Sequence, residues 1–132
     1  MEVEGMAGNN NKHVLVIDHD RKLLHLLAFH LIKGGYAVST AADGLEALEQ
    51  LENQAVDVVV TDYHIPKMDG FELLSVCRLK WPETPVVVFS GEQDDMAHEA
   101  VDRGAYAWVR KGKEFSTLSE VLASAIQPSV HA

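Results

Sequence analysis

Val56-Asp57-Val58-Val59-Val60-Thr61-Asp62-Tyr63-His64-Ile65-Pro66-Lys67-Met68-Asp69-Gly70 decides how this chain is read. Val56 to Thr61 is β-branched and apolar along nearly its whole length, as suits a strand covered on both faces within a parallel sheet. The strand ends on a carboxylate, Asp62. A loop with Pro66 and Gly70 then leads into a helix whose apolar stripe includes Leu73, Leu74 and Cys77. A covered strand, an acid at its carboxyl end and a helix to follow make one strand–loop–helix unit, and the same unit is found on both sides of it.

Upstream, Val14-Leu15-Val16-Ile17 is a short apolar strand, followed by Asp18-His19-Asp20 and a helical pattern from Arg21 with Leu24, Leu27, Ala28 and Leu31 on one face. Gly34-Gly35 ends that helix. Tyr36 to Thr40 reads as the second strand. Asp43 is placed to cap the second helix, with Glu46 at the reciprocal position and Leu45, Leu48 and Leu51 as its stripe. Downstream, Val86 to Phe89 is a fourth strand between Pro85 and Ser90-Gly91. Met96, Ala97, Ala100 and Val101 mark a helix ending near Gly104. Ala107 to Val109 is a fifth strand, and Ser116 is placed to cap a last helix on Leu118, Val121, Leu122 and Ala125, stopped by Pro128. Five alternations predict an α/β domain, a doubly wound parallel sheet with right-handed crossovers and helices on both faces.

The bulk properties agree. The chain has 132 residues, enough for one domain, with 47% hydrophobic and 23% charged residues. A net charge of -9 argues against direct contact with nucleic acid or an anionic membrane. Cys77 is the one cysteine, so no internal disulfide forms, which fits a cytoplasmic setting. No apolar run is long enough for a membrane span. Residues 1–12 are expected to be a disordered lead-in and 128–132 a tail, flanking a domain over 13–127.

In such sheets the chemistry lies beyond the carboxyl ends of the strands. Asp18, His19 and Asp20 follow strand one, Asp62 strand three, Ser90 strand four and Lys111 strand five. Clustered carboxylates repel each other and call for a hard cation such as Mg2+. One of them can then act as nucleophile toward a phosphoryl group, whose oxygens a metal, a hydroxyl and an ammonium would neutralise.

Four segments carry a resemblance. Asp62 to Gly70 resembles the region of the phosphorylated aspartate in response-regulator receiver domains of two-component systems. Val14 to Asp20 resembles their acidic first loop, Pro85 to Gly91 the strand ending in the switch hydroxyl, and Gly104 to Lys111 the closing strand with its lysine. The resemblance covers roughly Val14 to Ile126. It implies the flavodoxin-like strand order 2-1-3-4-5 and a phosphoacceptor signalling domain, not an enzyme. Asp62 would receive the phosphoryl group from a sensor histidine kinase or phosphotransfer protein in a phosphorelay. Asp18, Asp62 and the backbone carbonyl of His64 would hold Mg2+. Ser90 and Lys111 would bind the phosphoryl group, and Ser90 and Trp108 would act as the switch. A downstream partner would dock on the face of helix four, strand five and helix five, and a homodimer is compatible with this scheme.

Departures from the pattern are local. His19 stands where a second acid is usual, and imidazole suits softer metals than Mg2+, so weaker Mg2+ binding is expected. Gly91 replaces a usual alanine, Gly112 a usual proline, and Trp108 lacks a hydroxyl. Two alternatives follow. A phosphorylation-independent pseudo-receiver would keep the fold and bind a partner without the chemistry. A haloacid-dehalogenase-like phosphatase would use Asp18 as nucleophile in Asp18-His19-Asp20. However, Arg21-Lys22 follows instead of a small residue and threonine, and only Glu114 and Glu120 are acidic beyond Lys111.

Overall fold

A computed structural model describes residues 11–91, 96–112 and 115–126. Strands and helices alternate throughout: β1 (His13–Ile17), α1 (Arg21–Lys33), β2 (Ala37–Ala41), α2 (Gly44–Asn53), β3 (Val58–Thr61), α3 (Gly70–Lys80), β4 (Val86–Ser90), α4 (Met96–Asp102), β5 (Ala107–Arg110) and α5 (Ser116–Ile126). The five strands form one sheet in the order β2-β1-β3-β4-β5, with every pairing parallel. The predicted fold class and strand order are therefore both present.

The pleat divides the core into two layers. Leu15, Ile17, Val59, Val86 and Val88 face one way and pack with Ala47, Leu51, Leu73, Leu74, Cys77 and Ala100 of α2, α3 and α4. Val14, Val16, Val58, Val60, Val87 and Phe89 face the other way, onto Leu24, Leu27 and Leu31 of α1 and Leu118 and Leu122 of α5. Alternate side chains of a strand point to opposite faces, so β1, β3 and β4 can be apolar on both only because helices cover both.

Several boundaries differ from the sequence reading. β3 begins at Val58, not Val56: Val56 is only half-buried, and the Asp57 carboxylate accepts from the His13 N–H at 2.7 Å, outside the strand ladder. β2 spans Ala37–Ala41, one residue later than expected, and β5 continues to Arg110. Leu45 is exposed, and α2 is anchored by Ala47 and Leu51 instead. Val101 is likewise exposed, with Ala100 the buried residue of α4; the Met96 side chain lies outside the described residues. Ser116 is the first residue of α5, not its cap. Asn11 and Lys12 already make backbone bonds, to Gly35 and Ala37. The rest of the expected lead-in, the expected tail, Gln127 and the helix stop at Pro128 lie outside the described residues.

Candidate functional site

Sheet register brings the acids together. Ile17 and Thr61 are partners across β1 and β3, so the next residues, Asp18 and Asp62, leave adjacent strand ends side by side. The Asp18 N–H donates to the Ala41 carbonyl and the Asp62 N–H to the Ile17 carbonyl, at 3.1 and 3.0 Å. Both acids are nearly buried, at 3% and 7% exposure, and exposed neighbours do not explain such burial of carboxylates.

Lys111 compensates that charge. Ser90 pairs with Arg110 across β4 and β5, and the Lys111 N–H donates to the Ser90 carbonyl at 2.9 Å. From there the Lys111 ammonium lies 2.8 Å from Asp18 Oδ2 and 3.3 Å from Asp62 Oδ2. Burial by itself would lower the lysine pKa. The hydrogen bond to Asp18 and the charges of Asp62 and Asp18 outweigh it and hold the ammonium above its ordinary value.

His19 stays near this cluster while facing solvent. Its Nδ1 is 3.8 Å from Asp18 Oδ1, and its side chain is 60% exposed. Ligand atoms of Asp18, His19 and Asp62 all fall within 4.8 Å of one another, the one such group among the described residues. Asp20 does something else. Its Oδ1 accepts from the Lys22 and Leu23 N–H groups, capping α1, and its own N–H donates to Asp18 Oδ1 at 2.9 Å. That bond orients the Asp18 carboxylate.

Ser90 is fully buried at the end of β4, between the strands that carry Asp62 and Lys111. Trp108 is half-buried in the layer of α2, α3 and α4, paired in register with Val88. Its nearest aromatic partner is Tyr63, with ring centroids 6.0 Å apart. Tyr63 also meets Phe71 at 5.0 Å and His64 at 4.6 Å, and the Arg103 guanidinium lies 4.5 Å over Phe71. Sequence reading had not singled out Tyr63. Apart from the adjacent His64, its partners Phe71 and Trp108 lie 8 and 45 residues on, and only its place directly after Asp62 could have drawn attention to it.

The loop after Asp62 is held from two sides. The Gly44 N–H donates to the Pro66 carbonyl, and the Gly70 N–H to the Tyr63 carbonyl. Lys67 adopts φ 71°, a left-handed conformation costly for a residue with a Cβ, and its ammonium is 3.4 Å from Asp43. A Cβ at Gly70 would come within 2.8 Å of the Tyr63 carbonyl oxygen, so this loop can close only over glycine. Gly91 differs: a Cβ there would meet Lys111 at an ordinary 3.8 Å.

Residues 14–123 match the family described as "Response regulator receiver domain". The chain is 32% identical over 122 residues to the transcriptional regulatory protein GlrR of Escherichia coli K12, covering 91% of this chain and 27% of GlrR. It is 37% identical over 99 residues to the transcriptional regulatory protein KdpE of Mycobacterium tuberculosis, covering 74% and 43%. The chain thus spans less than half the length of these relatives. Among solved structures, a receiver domain protein from Clostridium thermocellum superposes with TM-score 0.82 at 33% identity, over 87% of this chain and 94% of that one. The chemotaxis response regulator CheY4 of Vibrio cholerae does so with TM-score 0.80 at 29% identity, over 87% and 98%.

Proposed function

Because this chain belongs to the response regulator receiver domain family, we propose that it accepts a phosphoryl group on Asp62 and signals by the change of shape that follows. The observation that supports this reading most is the pair of near-buried carboxylates, Asp18 and Asp62, bridged by the ammonium of Lys111. The donor would be a phosphohistidine of a sensor histidine kinase or phosphotransfer protein. An Asp62 carboxylate oxygen attacks phosphorus, the phosphorus–nitrogen bond breaks, and the imidazole leaves with the electron pair. The product is an acyl phosphate on Asp62. Lys111 and the Ser90 hydroxyl would take phosphoryl oxygens, and their movement would be read at Trp108.

Mg2+ fits the donor set. Asp18 and Asp62 offer hard oxygen ligands at one point, and the His64 carbonyl would add a third. Bound there, the ion would supply positive charge against the phosphoryl oxygens. His19 would contribute little to a magnesium ion. The face of α4, β5 and α5 would meet the downstream partner, either a second copy or an effector. No described helix is long and apolar enough to cross a membrane, and a cytoplasmic setting fits this reading.

Intact mass after incubation with acetyl phosphate and Mg2+ is the test. One added phosphoryl mass is expected in the wild type and none in Asp62→Asn. An undiminished yield in that variant would remove Asp62 from the role. His19 in place of an acid favours one other reading, a receiver that binds its partner without phosphorylation. That reading requires no added mass in the wild type together with unimpaired partner binding. Asp20 is engaged in capping α1, which disfavours a phosphatase using Asp18 and Asp20 as nucleophile and acid.

A further inference from the structure

Toward the amino end of the sheet, away from Asp62, a cluster of polar side chains joins β1, β2 and the segment after α2. His13 opens β1, Ser39 lies on β2, and both are half-buried. His13 Nε2 is 2.7 Å from Ser39 Oγ, and its Nδ1 is 2.9 Å from the Ala55 carbonyl oxygen. A carbonyl can only accept. In the neutral ring the proton therefore sits on Nδ1, and the bare Nε2 accepts from the Ser39 hydroxyl. The Gln54 side-chain amide donates to Ser39 Oγ at 3.1 Å and is itself held by Gln50 Oε1. A hydroxyl, a base facing it, a carbonyl that fixes the tautomer of that base and an amide donor thus meet at one point.

We propose that Ser39 is an activated nucleophile with His13 as its general base, and that it accepts the acyl group of a small carboxylic ester. A nucleophile and base within hydrogen-bond reach, with the base oriented by a third group, is the arrangement that acyl transfer requires. Ser39 Oγ attacks the ester carbonyl carbon while its proton passes to His13 Nε2. The bond from that carbon to the alcohol oxygen then breaks. The leaving alkoxide keeps the electron pair and takes the proton from His13, and an acyl ester remains on Ser39. The Gln54 amide stabilises the negative charge that builds on Oγ as its proton departs. Approach is open, because β2 is an edge strand. The Ala37 N–H and the Ala41 carbonyl are both bonded toward β1, so the N–H groups of Val38 and Thr40 point to the free edge. The Thr40 N–H, directly after the nucleophile, takes the ester oxygen as it becomes an oxyanion.

The site makes no use of phosphorylation or Mg2+, so the unphosphorylated full chain serves for the test. An alkyl fluorophosphonate reports an activated serine: Oγ attacks phosphorus, fluoride leaves, and the serine proton passes to the base. One adduct per chain is expected, mapped to Ser39 by peptide mass. It should be absent from Ser39→Ala and from the wild type unfolded in urea. His13→Gln keeps a polar side chain but cannot act as a base, and it should label about 100-fold more slowly. p-Nitrophenyl acetate should acetylate the same serine and release p-nitrophenolate faster from the wild type than from Ser39→Ala. Absence of an adduct from the folded wild type, an adduct on another residue instead, or an undiminished rate in His13→Gln overturns the proposal and leaves these bonds as braces between β1, β2 and the approach to β3. Equal release of p-nitrophenolate from the wild type and Ser39→Ala overturns the assignment of an ester.

Discussion

At the scale of single residues, His19 and Cys77 make opposite use of their surroundings. His19 stands beside two carboxylates while remaining largely in solvent, so it adds an imidazole where a third negative charge would strengthen cation binding. His19→Asp should tighten Mg2+ binding about tenfold, roughly 1.4 kcal/mol, the size of one charge interaction near a surface. Titration followed by calorimetry decides it, and equal or weaker binding in the variant would mean that His19 already serves the site. Cys77 is fully buried, and desolvation pushes its thiol up to about 11. Its neutral form is favoured in the fold, so the contribution is fully present below the ordinary thiol range near pH 9 and is lost as pH rises toward 11. The amount is on the order of 2 kcal/mol. Urea midpoints measured from pH 8 to 11 should fall more steeply in the wild type than in Cys77→Ala. Asp18, Asp62, Ser90 and Lys111 were legible because each lies at or directly after the carboxyl end of a strand, and parallel sheets gather such residues at one edge. The bond from the Asp20 N–H to Asp18 was not legible, because it depends on backbone angles that periodicity does not encode.

At the scale of elements, helix starts proved more readable than helix faces. Asp20 and Asp43 cap as their positions suggest. However, Glu46 reaches past Asp43 to the Ala42 N–H, and the reciprocal capping box forms instead at α3, between Asp69 and Glu72. Asp69→Ala should cost about 1 kcal/mol in urea unfolding. Asp69→Asn, which keeps the accepting oxygen, should recover most of that loss, and equal losses in both would show that the charge and not the cap matters. Leu45 misled because a leucine in an amphipathic helix is counted toward the core by default. Only packing shows that α2 buries Gly44, where a Cβ would come within 2.6 Å of Met68 Cβ, together with Ala47 and Leu51, and leaves Leu45 exposed. On α1 the converse happened: Leu24, Leu27 and Leu31 were read correctly as core, while the equally apolar Leu26, Phe29 and Ile32, all exposed, drew no notice.

At the scale of the whole molecule, alternation of strands and helices was enough for a parallel sheet covered on both faces. It carried no information on which strands are neighbours, since several orders satisfy right-handed crossovers. The order β2-β1-β3-β4-β5 was expected only through family resemblance. The sheet also works as a partition. Leu51 of α2 and Leu31 of α1 are both buried but belong to separate layers, and among the described residues no core residue is common to the two. Leu51→Val and Leu31→Val should each cost about 1 kcal/mol for the lost methylene. The double variant should show their sum within about 0.5 kcal/mol, and a larger departure would mean that strain crosses the sheet. A laminate of this kind lets each ply be redesigned alone. Substitutions that reshape the α1 and α5 side need not disturb the aromatic cluster of Tyr63, Phe71 and Trp108 on the other side, so the two faces can diverge independently within one scaffold.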